Sequence, residues 1–151
     1  MQITKKTTEA VSDLIIINND RYEGYQKAME QTNDSDLKTL FSQYSEQSKS
    51  FSAELQPLIP SSGNAPKRDE TRISGKFYRA WMDIKNALSA NDRKAVLSSC
   101  EYGEDVAKKA YVDALKDREL MPEDVTELIQ NQYYDIIEAH NTVRSLRDSA
   151  K

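Results

Sequence analysis

One cysteine, Cys100, leaves this 151-residue chain no internal disulfide. One histidine, His140, leaves it short of nitrogen donors, so a metal site built on several imidazoles is excluded. Glycines and prolines number only four each, and Pro57, Pro60, Gly63 and Pro66 fall in one stretch, so long uninterrupted helices are expected elsewhere. No run of about 18 apolar residues occurs, so no membrane-spanning helix is expected. The start of the chain lacks the long apolar core and small-residue cleavage site of a signal peptide. Neither sign of charge dominates: 21 basic residues stand against 25 acidic ones, and a net charge of −4 offers no basic face to nucleic acid. No glycine-rich phosphate loop is present. These absences point to a bacterial-type cytoplasmic protein without nucleic-acid or membrane partners.

What is present is helical periodicity. At 38% hydrophobic and 30% charged, the chain can bury a core, and residues 1–151 are expected to form one domain. Taking 100° per residue, Ile3, Thr7, Ala10, Val11, Leu14, Ile17, Asn18, Arg21, Tyr25, Ala28 and Met29 share one face of a helix from Ile3 to about Gln31, with Ile15 at its edge and Ile16 pointing away. Thr32–Asp36 is a break rich in capping residues. Leu37, Leu40, Phe41, Tyr44, Ser48, Phe51 and Leu55 mark a second helix from about Ser35 to Pro57. The proline-rich loop follows, then a shorter helix over about Glu70–Leu88 with Ile73, Phe77, Trp81, Ile84 and Leu88 on one side. Val96, Leu97, Cys100, Gly103, Glu104, Ala107 and Tyr111 define a third long helix over about Asp92–Lys116. Pro122, suited to a first turn, opens the last, striped by Val125, Ile129, Gln132, Ile136, Ala139 and Val143.

Four long helices of matched length make an all-α four-helix bundle. If the shorter helix crosses back between the second and third long ones, those two run parallel, which is ferritin-like connectivity with an extra crossover helix. A midpoint stays at one height whichever way a helix runs. Residues near positions 18, 47, 105 and 136 therefore form a single layer. Its inward members are Asn18, Arg21, Tyr25, Tyr44, Ser48, Glu104, Tyr111 and Gln132, with Gln47 beside them and Asp135 at the border. Glu101 and His140 fall at stripe edges, and Glu46, Lys49, Asp105 and Glu138 point outward.

A polar layer inside a bundle invites a metal reading. A dinuclear carboxylate site needs acids from four helices and a Glu-x-x-His from two of them. Here the residue three before His140 is Ile137, and the second helix offers Tyr44, Gln47 and Ser48 in place of ligands. The expectation is therefore no metal and no cofactor, with a single weak site of Glu101 or Glu104 and His140 as the alternative. His140 alone reads as an edge histidine near the end of the last helix, favoured by its dipole. A buried Glu104 needs a cation, and Arg21 is the inward one, so a buried Arg21–Glu104 contact is expected. Cys100 reads as a small core residue rather than a nucleophile. Phe77, Tyr78 and Trp81 cluster on the shorter helix, either packing on the bundle's flank or forming a partner or dimer surface.

The segments Gly75–Lys85 (GKFYRAWMDIK), Glu101–Ala107 (EYGEDVA) with Tyr111, and His140–Asp148 (HNTVRSLRD) together resemble a bacterial domain-of-unknown-function family of ferritin-like four-helix-bundle proteins. Glu23-Gly24-Tyr25 and Phe51–Leu55 are similar to its first two helices. The resemblance implies a ferritin-like bundle and no established activity. The spacing of Asn18 and Tyr25 is similar to that of the Glu and Tyr on the first helix of rubrerythrin-like ferritins, with asparagine in place of the glutamate. It implies a bundle whose ancestral metal site has been lost. The expected function is that of a non-catalytic, metal-free structural or interaction protein, stress-associated and dimeric. The alternative is a metal-binding or redox protein with an atypical carboxylate site.

Overall fold

The structure is a computed structural model that describes residues 4–60, 86 and 92–150. It is an all-α helical bundle. Four long helices account for nearly all the described chain: α1 (Lys5–Gln31), α2 (Ser35–Leu55), α3 (Arg93–Leu115) and α4 (Glu123–Ser149). The described residues contain no strand. The shorter helix expected over Glu70–Leu88, with Phe77, Tyr78 and Trp81, lies outside the described residues, as does most of the proline-rich loop.

The helix ends follow local chemistry. Thr4 caps α1 by accepting from the Thr7 amide, and Asp92 caps α3 by accepting from the Ala95 amide at 3.0 Å. Glu123 and Asp124 place negative charge in the first turn of α4, where exposed amides favour it. For the four long helices, each sequence-read boundary falls within a few residues of the observed one.

Contact pairs fix the directions. Asn18 meets Ser48 while Gln26 meets Ser45, so α1 and α2 are antiparallel. Asn18 meets Tyr111 while Arg21 meets Glu104, so α1 and α3 are antiparallel. Tyr111 meets Gln132 while Glu101 meets Arg147, so α3 and α4 are antiparallel. It follows that α2 and α3 run parallel. Arg93 at the start of α3 accordingly pairs with Asp34 and Asp36 at the start of α2. At the other end Lys6 pairs with Asp117. This up-down-down-up order is the direction pattern expected from the sequence.

The core is split in two. One apolar cluster gathers Val11, Leu14, Ile15, Phe51, Leu55, Ile129 and Ile136 towards the Lys6–Asp117 end. The other gathers Ala28, Leu37, Phe41, Val96, Leu97 and Val143 towards the Arg93 end. Between them lies a polar layer.

The buried face of α1 is wider than a single stripe. Ile15, Asn19 and Gly24 are buried beside Leu14, Asn18 and Arg21, whereas Ile17 and Met29 are only partly covered. A helix with two packed neighbours buries two stripes, and the second faces α2. There Ser45, Ser48 and Ser52 recur at helical spacing. Ser45 donates to Gln26 Oε1 at 2.9 Å, Ser48 to Asn18 Oδ1 at 3.0 Å and Ser52 to Asn19 Oδ1 at 2.9 Å.

Candidate functional site

All eight residues expected in the polar layer are buried: Asn18, Arg21, Tyr25, Tyr44, Ser48, Glu104, Tyr111 and Gln132. At its centre Arg21 (0% exposed) and Glu104 (1% exposed) form a bidentate pair. Arg21 Nε donates to Glu104 Oε1 at 2.6 Å and Nη2 to Oε2 at 2.9 Å. Such a fork-to-fork pair satisfies both carboxylate oxygens in one plane. Arg21 Nη1 donates to Ser48 Oγ at 2.8 Å and, at 3.4 Å, to the Tyr44 carbonyl. The rings of Tyr25 and Tyr44 lie 5.3 Å from the guanidinium carbon, within reach of cation–π attraction.

A second chain of bonds crosses the layer. Tyr111 donates to Gln132 Oε1 at 2.7 Å and accepts from Asn18 Nδ2 at 2.8 Å. Asn18 Nδ2 also reaches the Leu14 carbonyl at 2.8 Å, and Gln132 Nε2 reaches Glu54 Oε1 at 3.2 Å. The network therefore joins all four helices. Among the described residues, the buried hydroxyl of Tyr25 has no hydrogen-bond partner, and neither does Oε1 of half-buried Gln47. Asp135 is exposed, not at the border of the layer. Its rotation about α4 carries it past the edge once Gln132 and Ile136 take the inward positions.

Burial dominates the electrostatics. It works against the charge of Arg21, but the Glu104 carboxylate outweighs it and holds the guanidinium pKa above its ordinary value. Burial, reinforced by the charge of Glu104, pushes the Tyr25 phenol and the Cys100 thiol upward. Tyr111 is likewise raised by burial, against the hydrogen bond from Asn18. Neither the thiol nor the two phenols are set up as nucleophiles, because each is held in its neutral, unreactive form.

The layer does not suit the dinuclear metal pair that some four-helix bundles hold. Among the described residues it offers one buried carboxylate, already engaged on both oxygens by a guanidinium, while Glu54 at the end of the Gln132 bond is exposed and the other members are neutral amides, hydroxyls and phenols. A dication beside Arg21 would meet a buried like charge.

A different group sits on the rim between α3 and α4. His140 Nε2 lies 2.7 Å from Asp105 Oδ1, and Glu101 pairs with Arg147. His140 is not a helix-end histidine: α4 continues to Ser149, more than two turns beyond it, where the helix dipole no longer acts. It is 7% exposed, and its partner is the aspartate that periodicity turned outward. Sequence reasoning missed this contact because rotation about α3 alone ignores what the neighbouring helix brings to the groove. It also missed Asn19, Ser45 and Ser52. The 3-4 spacing of Ser45, Ser48 and Ser52 was the available signal.

A family model described as Domain of unknown function (DUF2383) matches residues 6–117, which takes in α1, α2 and α3. No curated protein matches the chain.

Proposed function

The chain belongs to the DUF2383 family, and from that premise we propose that it is a non-catalytic, ferritin-like bundle of bacterial, cytoplasmic type that works as a structural or interaction protein and self-associates. The observation that carries this reading is the Arg21–Glu104 pair at mid-height. A reactive centre in a four-helix bundle needs inward ligands from facing helices. In this chain the mid-height positions serve to lock helix to helix. No helix among the described residues is long and apolar enough to cross a membrane, which agrees with a chain working in water.

The test is metal loading of untagged protein. Iron or manganese supplied in excess is expected to leave no dinuclear species by electron paramagnetic resonance or visible absorption. Two ions per chain in a coupled pair would overturn the reading.

Self-association rests on the aromatic residues Phe77, Tyr78 and Trp81 of the sequence. Sedimentation equilibrium is expected to give twice the 17.2 kDa chain mass, returning to one chain mass in Trp81→Ala. A monomer at high concentration would remove the dimer.

A further inference from the structure

We propose that Glu101, Asp105 and His140 form a binding site for one first-row divalent cation of the zinc type, tying α3 to α4. The site lies on the rim, outside the polar layer, and does not depend on the functional reading above.

Glu101 and Asp105 stand at i and i+4 on α3. That is the spacing by which two side chains of one helix reach a single ion. His140 comes from antiparallel α4. One donor atom from each residue lies within 4.8 Å of the other two. Ligands of a tetrahedral ion at about 2.0–2.2 Å stand roughly 3.3–3.6 Å apart, so side-chain rotation of about 1 Å closes the set. Asp105, 55% exposed along its side chain, is free to make that movement.

The imidazole separates this group from an ordinary acidic patch. Nδ1 of His140 is 3.4 Å from Asn141 Oδ1. A proton held on that side leaves the Nε2 lone pair aimed at the carboxylates, the arrangement metal-bound histidines adopt. Arg147 is the internal competitor, since it occupies Glu101. It also donates to Asp148 Oδ1 at 2.9 Å, so it keeps a carboxylate when Glu101 turns to the ion. A donor set of one imidazole and two carboxylates, without thiolate, fits Zn²⁺, Co²⁺ or Ni²⁺ better than it fits calcium or magnesium. The exposed side of Asp105 leaves a further position for water.

Untagged full-length protein titrated with Co²⁺, followed by visible absorption, and with Zn²⁺, followed by calorimetry, tests the site. One ion per chain is expected. Asp105→Asn, a surface change that leaves the fold intact, and His140→Gln should each weaken binding at least about tenfold. Arg147→Gln should strengthen it severalfold by releasing Glu101. Affinity unchanged in Asp105→Asn and His140→Gln, or no binding at millimolar ion, would overturn the proposal. Its stoichiometry of one, lost on changes at the rim, is distinguishable from the dinuclear pair that would refute the functional reading.

Discussion

Glu104→Ala is expected to lower the unfolding free energy by about 3–5 kcal/mol, because it strands the Arg21 guanidinium in the core without a counter-charge. Arg21 is fully buried, and four of its hydrogen bonds run within the layer, two of them to Glu104. Removing the carboxylate leaves the desolvation cost of the cation with only Ser48, a carbonyl and two aromatic faces to offset it. Domains of this size are stable by about 5–15 kcal/mol, so the loss is about a fifth or more of the whole. The measurement is urea unfolding followed by circular dichroism, and the midpoint should fall while the slope is kept. The paired replacement Arg21→Met with Glu104→Leu removes both charges together. It is expected to regain wild-type stability or exceed it by about 1–4 kcal/mol, since an apolar pair of similar volume carries no desolvation cost. A double variant as unstable as Glu104→Ala would show that the attraction within the pair, and not the stranding of its survivor, dominates.

Alkaline pH is expected to destabilise the protein progressively from about pH 9 upward. Cys100, Tyr25 and Tyr111 all have pKa values raised by burial in the folded chain. The sign follows from which state gives up its proton first. The unfolded chain ionises from the ordinary values, 9.0 for the thiol and 10.0 for the phenols, while the folded chain holds its protons. Stability from these groups is therefore complete below about pH 9 and is lost as pH rises towards the folded values. Each group contributes about 1.4 kcal/mol per pH unit once its unfolded form ionises, which amounts to about 5 kcal/mol by pH 11. Urea unfolding at intervals from pH 7 to 11 should trace this decline. Cys100→Ala should delay its onset by about one pH unit, and Tyr25→Phe should lower its slope above pH 10. A stability that stays level between pH 8 and 11 would refute the argument.

Much of this architecture was legible in the chain itself. Leu37, Phe41, Tyr44, Ser48, Phe51 and Leu55 repeat every three or four residues, and only a helix brings such a set to one face. The polar layer could be read because mid-helix positions share a height in either direction. Arg21 could be matched to Glu104 because the inward stripes offered a single cation and a single acid near that level. The serine seam was harder to see. Serine is neither apolar nor charged, so Ser45 and Ser52 add nothing to a hydrophobic stripe, and their bonds to Gln26 and Asn19 become visible only when α1 and α2 are side by side. The rim site was hidden for a similar reason. Asp105 points away from the centre of the bundle, and only the flank of α4 makes that direction meaningful.

The placement of the central pair also bears on how the molecule assembles. Arg21 belongs to the α1–α2 hairpin and Glu104 to the α3–α4 hairpin, 83 positions apart in sequence. A hairpin formed alone can offer Arg21 Ser48, a carbonyl and the rings of Tyr25 and Tyr44 but no counter-charge from Glu104. Neither half can expel water from its middle before meeting the other, because an unpaired ion resists dehydration. The first hairpin to form thus stays hydrated at its waist instead of closing around a premature core. Local helix pairing comes early, and drying of the interior becomes one late event shared by both halves.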